Sequence, residues 1–405
     1  RGARGFTEFP SAMAIGATGD AADAGRIGAA LADELLAVGI NMYLAPDLDI
    51  NVNPVNPVIG TRSFGSDPAR VAELGAAFIE AMQARGVMAV GKHFPGHGDT
   101  AVDSHVGLPV VAHDRARLEA VEFVPFRRAM SSGVAGIMSA HIEFPAIDAT
   151  PGLPATLSAR VLTGLLREEM GFEGLIFTDS LIMGALVNEG RSIPQAAAAA
   201  LMAGADVLLF NNGHSLHRMA YAEVVAQARS GRIPEARLDA AVRRILTAKA
   251  RYGLLAGPRP AAPEHAGSAD RKALSRAITA RSITVVRDTA GLLPVRDPAA
   301  LLVVETPAAA GLARALGASM ISVGAQPRPG DARQVMEAAR GRMILVATSD
   351  LFKNPQQADL VRNLRAAGLS VIVVAVRLPY DVLQLGDTPT FVATYQASED
   401  AFAAL

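Results

Sequence analysis

The chain has no cysteine. Disulfides, thiolate metal ligands and thiol nucleophiles are therefore all excluded, while the redox compartment is left undetermined. An excess of either charge is also missing, since 38 Lys and Arg against 39 Asp and Glu leave a formal net charge of −1. A near-neutral chain has no broad electrostatic reason to seek nucleic acid or an anionic membrane. Long apolar runs are lacking too. The richest, around residues 196–210, is interrupted by Asp206, and nothing reaches the ~18 uncharged apolar residues of a membrane span. No signal-like start is visible either, although Arg1 is not a native initiator, so a removed leader stays open.

What is present is ample material for cores. The 405 residues are 50% hydrophobic and 19% charged, the balance of a soluble protein of two or three domains. Short β-branched runs alternate with amphipathic stretches, as in parallel sheet with crossover helices. The first strands are expected at 39–44, 87–92, 135–141, 174–178 and 206–210, with helices at 21–38, 69–85, 114–131 and 158–170. Ser158 is placed to cap the last helix and Gly171 to end it. One helix per strand fits a (β/α) TIM-type barrel over 1–252, closed by a helix at 236–252. A proline-rich linker over 253–268 follows. The segment 269–405, with six further strands expected at 283–287, 301–305, 320–323, 343–348, 371–376 and 391–395, reads as a separate α/β layered sandwich domain.

In such barrels the chemistry sits where strands end. Asp47, Lys92, His93, His141, Asp179 and Asn211 all occupy that place. The densest segment is Lys92-His-Phe-Pro-Gly-His-Gly-Asp-Thr-Ala-Val-Asp-Ser-His105, with three histidines and two aspartates in fourteen positions. Asp103 and His105 stand two apart, so the carboxylate can hold one imidazole nitrogen and keep a proton available for transfer. The competing readings are loop hydrogen bonding by His93 and His97, with Asp103 as a turn residue, or a metal site of His93, His97, Asp103 and His105. The glycines and prolines do not lock these side chains on one helix face, as His-x-x-x-His zinc motifs do. A second segment, Gly174-Leu-Ile-Phe-Thr-Asp179-Ser, ends an apolar strand in a carboxylate that Thr178 and Ser180 could hydrogen-bond. It serves as a nucleophile or as a helix N-cap. A third, Gly60-Thr-Arg62-Ser-Phe-Gly65, offers a planar guanidinium suited to hydroxyls or carboxylates.

These residues resemble a known family. Residues 92–105 match the Lys-His-Phe-Pro-Gly-His-Gly-Asp-Thr-x-x-Asp-Ser-His signature of glycoside hydrolase family 3 β-N-acetylglucosaminidases. Phe177-Thr-Asp179-Ser-Leu181 resembles that family's nucleophile motif, and Arg62 lies where the family has a substrate-binding arginine. The resemblance covers the first ~250 residues, and the linker with a second α/β domain is similar to two-domain members. It implies Asp179 as nucleophile and His105 as general acid/base oriented by Asp103. Arg62, Lys92 and His93 would bind sugar hydroxyls, with Arg4 as a further family arginine. His141 joins the substrate-binding set as the polar group after the third strand.

The implied activity is that of a retaining exo-β-N-acetylhexosaminidase on peptidoglycan- or chitin-derived saccharides, with a small saccharide as partner and no cofactor or metal. Alternatives are a phosphorylase or β-glucosidase of the same family, and a non-catalytic sugar-binding relative. The resemblance also carries a departure. Family members hold an acidic sugar-binding residue in an Asp-Gln-Glu-Gly-Gly segment at an early strand, and this chain begins just after its place. A barrel incomplete at its N-terminus is thus expected, and the abrupt end at Leu405 suggests a shortened second domain. Location and oligomeric state are left open, with the cytoplasm favoured over secretion.

Overall fold

The structure, a computed structural model, describes residues 5–188, 190, 192–211, 213–257 and 262–405. Two compact units result: Arg1–Thr7 with Asp20–Ser268, and Glu8–Gly19 with Ala269–Leu405. Residues 8–19 thus leave the first unit and pack in the second. Of the expected linker, residues 258–261 lie outside the described residues.

The first unit is built on five parallel strands, β1 (Met42–Tyr43), β2 (Met88–Phe94), β3 (Gly136–Ser139), β4 (Leu175–Ser180) and β5 (Val207–Leu209). They lie side by side in chain order. Sequential parallel order with a helical crossover after each strand is the build of a (β/α) barrel. Among the described residues these five strands form an arc of it. Val90, Met138, Leu175 and Phe177 pack inside with Ile245 and Ala248, which belong to the helix Glu235–Arg251.

Polar caps fix where the crossover helices start. Asp20 accepts from the Ala22 amide at 2.9 Å, and Asp67 from the Arg70 amide at 2.8 Å. The expected helix over 114–131 is instead two, Arg115–Ala120 and Phe123–Ser131. Pro125 has no N–H to give the carbonyl of Val121, and the ladder breaks there. Ser158 does cap the next helix, accepting from Val161 N at 3.2 Å, and Gly171 ends it at φ +71. That helix, Arg160–Glu169, is wound as a π-helix.

In the second unit six strands, β6 (Thr284–Asp288), β7 (Leu302–Glu305), β8 (Ser319–Ser322), β9 (Ile344–Thr348), β10 (Val371–Ala375) and β11 (Thr390–Ala393), are ordered β6-β11-β10-β9-β7-β8. All pairings are parallel except β6 with β11. Each face of the sheet buries its own apolar cluster, one around Val346, Val373 and Phe391, the other around Val303, Leu345 and Val374. Alternation of inward residues to two helical layers makes this a sandwich. No helix among the described residues is long and apolar enough to cross a membrane.

Candidate active site

Side chains alternate faces along a regular strand, so adjacent residues should not share a pocket. Here they do, because the register breaks where the chemistry is. The β2–β3 pairing shifts between Lys92 and Phe94, and the β4–β5 pairing between Phe177 and Ser180. Such irregularities re-aim side chains at strand ends. Lys92 with His93, and Asp179 with Ser180, consequently line one cavity of ≈ 270 Å³ at the mouth of the barrel. Arg62 and His105 line it as well, and Met138 and Leu209 contribute apolar surface.

The polar side of this cavity rests on two buried aspartates. Asp47 meets Arg62 Nε at 2.9 Å and Lys92 Nζ at 3.5 Å, so both cations are tied to one carboxylate. Asp49 accepts from His93 N at 3.1 Å, His97 N at 2.7 Å and His93 Nδ1 at 2.7 Å. Burial pushes the Asp49 pKa up, but the His93 and His97 donors outweigh it and hold the group at about 2. With Nδ1 bound to a carboxylate, His93 turns Nε2 toward the site, 4.0 Å from Asp179 Oδ2. His97 is buried, its nitrogens taken by Thr100 Oγ1 at 2.8 Å and Ser104 Oγ at 3.0 Å. Its pKa falls to about 4, chiefly through burial and then the nearby His93. It is a neutral strut of the loop.

Asp179 ends β4 with its side chain 21% exposed. Burial acts to raise its pKa, yet His93, His141, the Ser180 amide and Lys92 together lower it. The carboxylate is thus ionised. Ser180 N donates to its Oδ1 at 2.7 Å. The hydroxyls expected to bond it are engaged elsewhere: Thr178 Oγ1 accepts from Leu209 N, and Ser180 Oγ donates to Asn211 Oδ1. The helix-cap reading of Asp179 also falls away, since the following helix Gly184–Val187 has Met183 at its N-cap.

Across the cavity, Asp103 Oδ1 accepts from both the backbone N–H and Nδ1 of His105, each at 2.8 Å. Burial raises the Asp103 pKa, but the two His105 bonds more than compensate and lower it. An ionised Asp103 places the ring proton on Nδ1 and leaves Nε2 for the cavity. His105 and Asp179, 74 positions apart in the chain (179 − 105), face the same space.

His141, expected among the sugar-binding groups, has a different post. It is buried, with Nδ1 at 2.9 Å from Thr156 Oγ1 and Nε2 at 3.0 Å from Ser180 O. Both nitrogens are committed within the wall behind Asp179. Arg4 lies outside the described residues. Two supports were missed in the sequence, Asp49 and Asn56. Asn56 Nδ2 donates to His97 O at 2.9 Å and Gly98 O at 3.1 Å. Gly98 itself must be glycine, because a Cβ there would sit 1.8 Å from Ile50 O. The available signal was the Asp47-Leu-Asp49 spacing, which puts two carboxylates on one side of an extended chain.

Asp47, Asp49 and His93 offer ligand atoms within 4.8 Å of one another. They do not suit a metal ion: Arg62 and Lys92 already neutralise Asp47, and three N–H donors occupy Asp49. The four residues weighed as a metal set in the sequence are likewise bound to protein partners.

Residues 1–248 match the glycosyl hydrolase family 3 N terminal domain. The chain belongs to glycosyl hydrolase family 3. Among curated relatives in the family, it is 34% identical over 308 residues to "Beta-hexosaminidase A" of Pseudoalteromonas piscicida, covering 71% of this chain and 51% of that protein. It is 36% identical over 302 residues to "Beta-N-acetylglucosaminidase/beta-glucosidase" of Cellulomonas fimi, covering 71% and 52%. The chain thus spans about half the length of these two relatives. Among solved structures, the family 3 β-N-acetylglucosaminidase from Paenibacillus sp. str. FPU-7 superposes with a TM-score of 0.91 at 36% identity, covering 100% of this chain and 80% of that one. The expected architecture, barrel followed by α/β sandwich, is the family 3 architecture.

Proposed function

We propose that this chain is a retaining exo-β-N-acetylhexosaminidase, removing terminal N-acetylglucosamine from peptidoglycan- or chitin-derived saccharides. The observation that carries this reading is the cavity shared by Asp179 and His105, with His105 Nδ1 held by Asp103 and Nε2 without a partner among the described residues. The names of the relatives support the choice of sugar.

In this mechanism the Asp179 carboxylate attacks the anomeric carbon while His105 Nε2–H protonates the leaving oxygen. A glycosyl–Asp179 ester and a neutral imidazole result. The imidazole then takes a proton from water, whose oxygen attacks the same carbon and releases Asp179 with net retention. Asp103 balances the imidazolium before the first step and again after the second. Arg62, Lys92 and His93 Nε2, itself 3.5 Å from Arg62 Nη2, hold sugar hydroxyls, and their placement against Asp47 and Asp49 orients them before substrate arrives. Both steps balance with protein groups and water alone.

Nitrophenyl β-N-acetylglucosaminide should turn over and nitrophenyl β-glucoside much less. Proton NMR should detect the β-anomer of the released sugar first. A preference for the glucoside, or first release of the α-anomer, would refute the reading.

A further inference from the structure

The loop that carries His105 is fastened at its outer edge. Gly184 N donates to His105 O at 3.2 Å and Ala185 N to Ser104 O at 3.1 Å. Asn188 Nδ2 donates to Val106 O at 2.6 Å. Three successive carbonyls of the loop are thus held by one short segment, and that segment follows Asp179 by five residues (184 − 179). Within the loop, Val106 N and Gly107 N both return to Asp103 O, and His97 Nε2 meets Ser104 Oγ. The turn 103–107 is therefore one piece, docked at its outer edge. The docking needs glycine: a Cβ on Gly184 would lie 2.3 Å from His105 O and 2.9 Å from Val106 O.

We propose that Gly184, Ala185 and Asn188 form a latch that sets the distance between His105 and Asp179, with Asn188 as a positioning residue for proton transfer. The inference rests on the retaining-glycosidase reading. Without the latch the turn 103–107 would be referred to the nucleophile strand by a longer route, from Ser104 through His97 and Asp49 and across the β2–β3–β4 pairings. With it, both groups are referred to the same few residues after β4. A misplaced acid harms cleavage in proportion to how much the leaving oxygen needs its proton.

The test uses the full chain. Asn188→Ala should lower kcat/KM for N,N′-diacetylchitobiose by about 5–10-fold, the worth of one hydrogen bond. For the dinitrophenyl glycoside, which leaves unprotonated, it should stay within about 2-fold. Gly184→Ala should show the same asymmetry at about 100-fold against 5-fold, as a steric displacement rather than a lost bond. Hydrogen exchange supplies a readout independent of turnover: the Gly184 and Ala185 amides should be protected in the wild type and exchange faster in Asn188→Ala. Equal losses on both substrates, no loss on either, or unprotected wild-type amides would overturn the latch. A wild type inactive on both glycosides refutes the functional reading instead, and exchange then decides the latch by itself.

Discussion

At the scale of single residues, the acid role proposed for His105 has the clearest signature, because it would depend on the substrate's leaving group. The His105 side chain is 60% exposed, and its Nδ1 is held by Asp103. His105→Ala should slow cleavage of a saccharide leaving group by roughly 10²–10⁴, and of an activated aryl leaving group much less. Asp179→Ala should cost more on both. Asp49 tests the scaffold. Asp49→Asn puts an amide where two backbone amides and a ring N–H need acceptors, and should destabilise the protein by about 3–5 kcal/mol in urea unfolding. The gathering of Asp179, His105, Lys92 and Arg62 at one cavity was legible in the sequence, because each sits in a short polar motif at a strand end or loop. Asp49 and Asn56 were not, because they work across 44 and 41 positions onto His93 and His97, and nothing local reports such a contact.

Elements show the same division between local and distant causes. All eleven strands appear within a few residues of their expected places, since apolar runs bounded by polar strand ends decide them. The split at Pro125 follows from that proline's missing N–H, whereas the helix Arg160–Glu169 is tied to distant residues. The latter helix is anchored through Arg167, which bonds Phe172 O and Gly174 O at 2.6 Å and Asp206 at 2.5 Å. Asp206, in the sequence merely an interruption of an apolar run, also meets Arg244 at 3.2 Å and Arg237 at 3.4 Å. It binds the helices Arg160–Glu169 and Glu235–Arg251 to the start of β5. Burial, with the repulsion of Arg244 and Arg237 against the pull of Asp206, brings the Arg167 pKa down to about 10. Asp206→Ala removes the counter-charge of three guanidinium groups and should cost about 3–5 kcal/mol, with Asp206→Asn between it and the wild type. A loss under about 0.5 kcal/mol, the range of an ordinary surface change, would contradict this account of the helix anchor.

For the whole molecule, stability against pH is a sum of buried groups with opposite signs. Asp381 in the second unit bonds Thr348 Oγ1 and Leu351 N, yet burial raises its pKa to about 6. Its contribution is full below the unfolded value and is lost as pH rises through about 6, worth about 3 kcal/mol. His97 and Asp49 run the other way: their stabilisation is present above their unfolded values and is lost as pH falls through about 4 and about 2. Asp381→Asn should therefore raise Tm relative to the wild type at pH 7.5 and lose that advantage by pH 4. A difference independent of pH would remove Asp381 from the balance. The barrel-and-sandwich plan was legible in the change of strand pattern along the chain, whereas the passage of residues 8–19 into the second unit was not, because a short helix gives no sign of which core it joins. The central claim is the pairing of Asp179 with His105 across one sugar ring. Incubation with a fluorinated N-acetylglucosaminyl fluoride, then peptide mass spectrometry, tests it most directly. One glycosyl adduct on Asp179 is predicted, accumulating further in His105→Ala; an adduct on any other side chain would contradict the account.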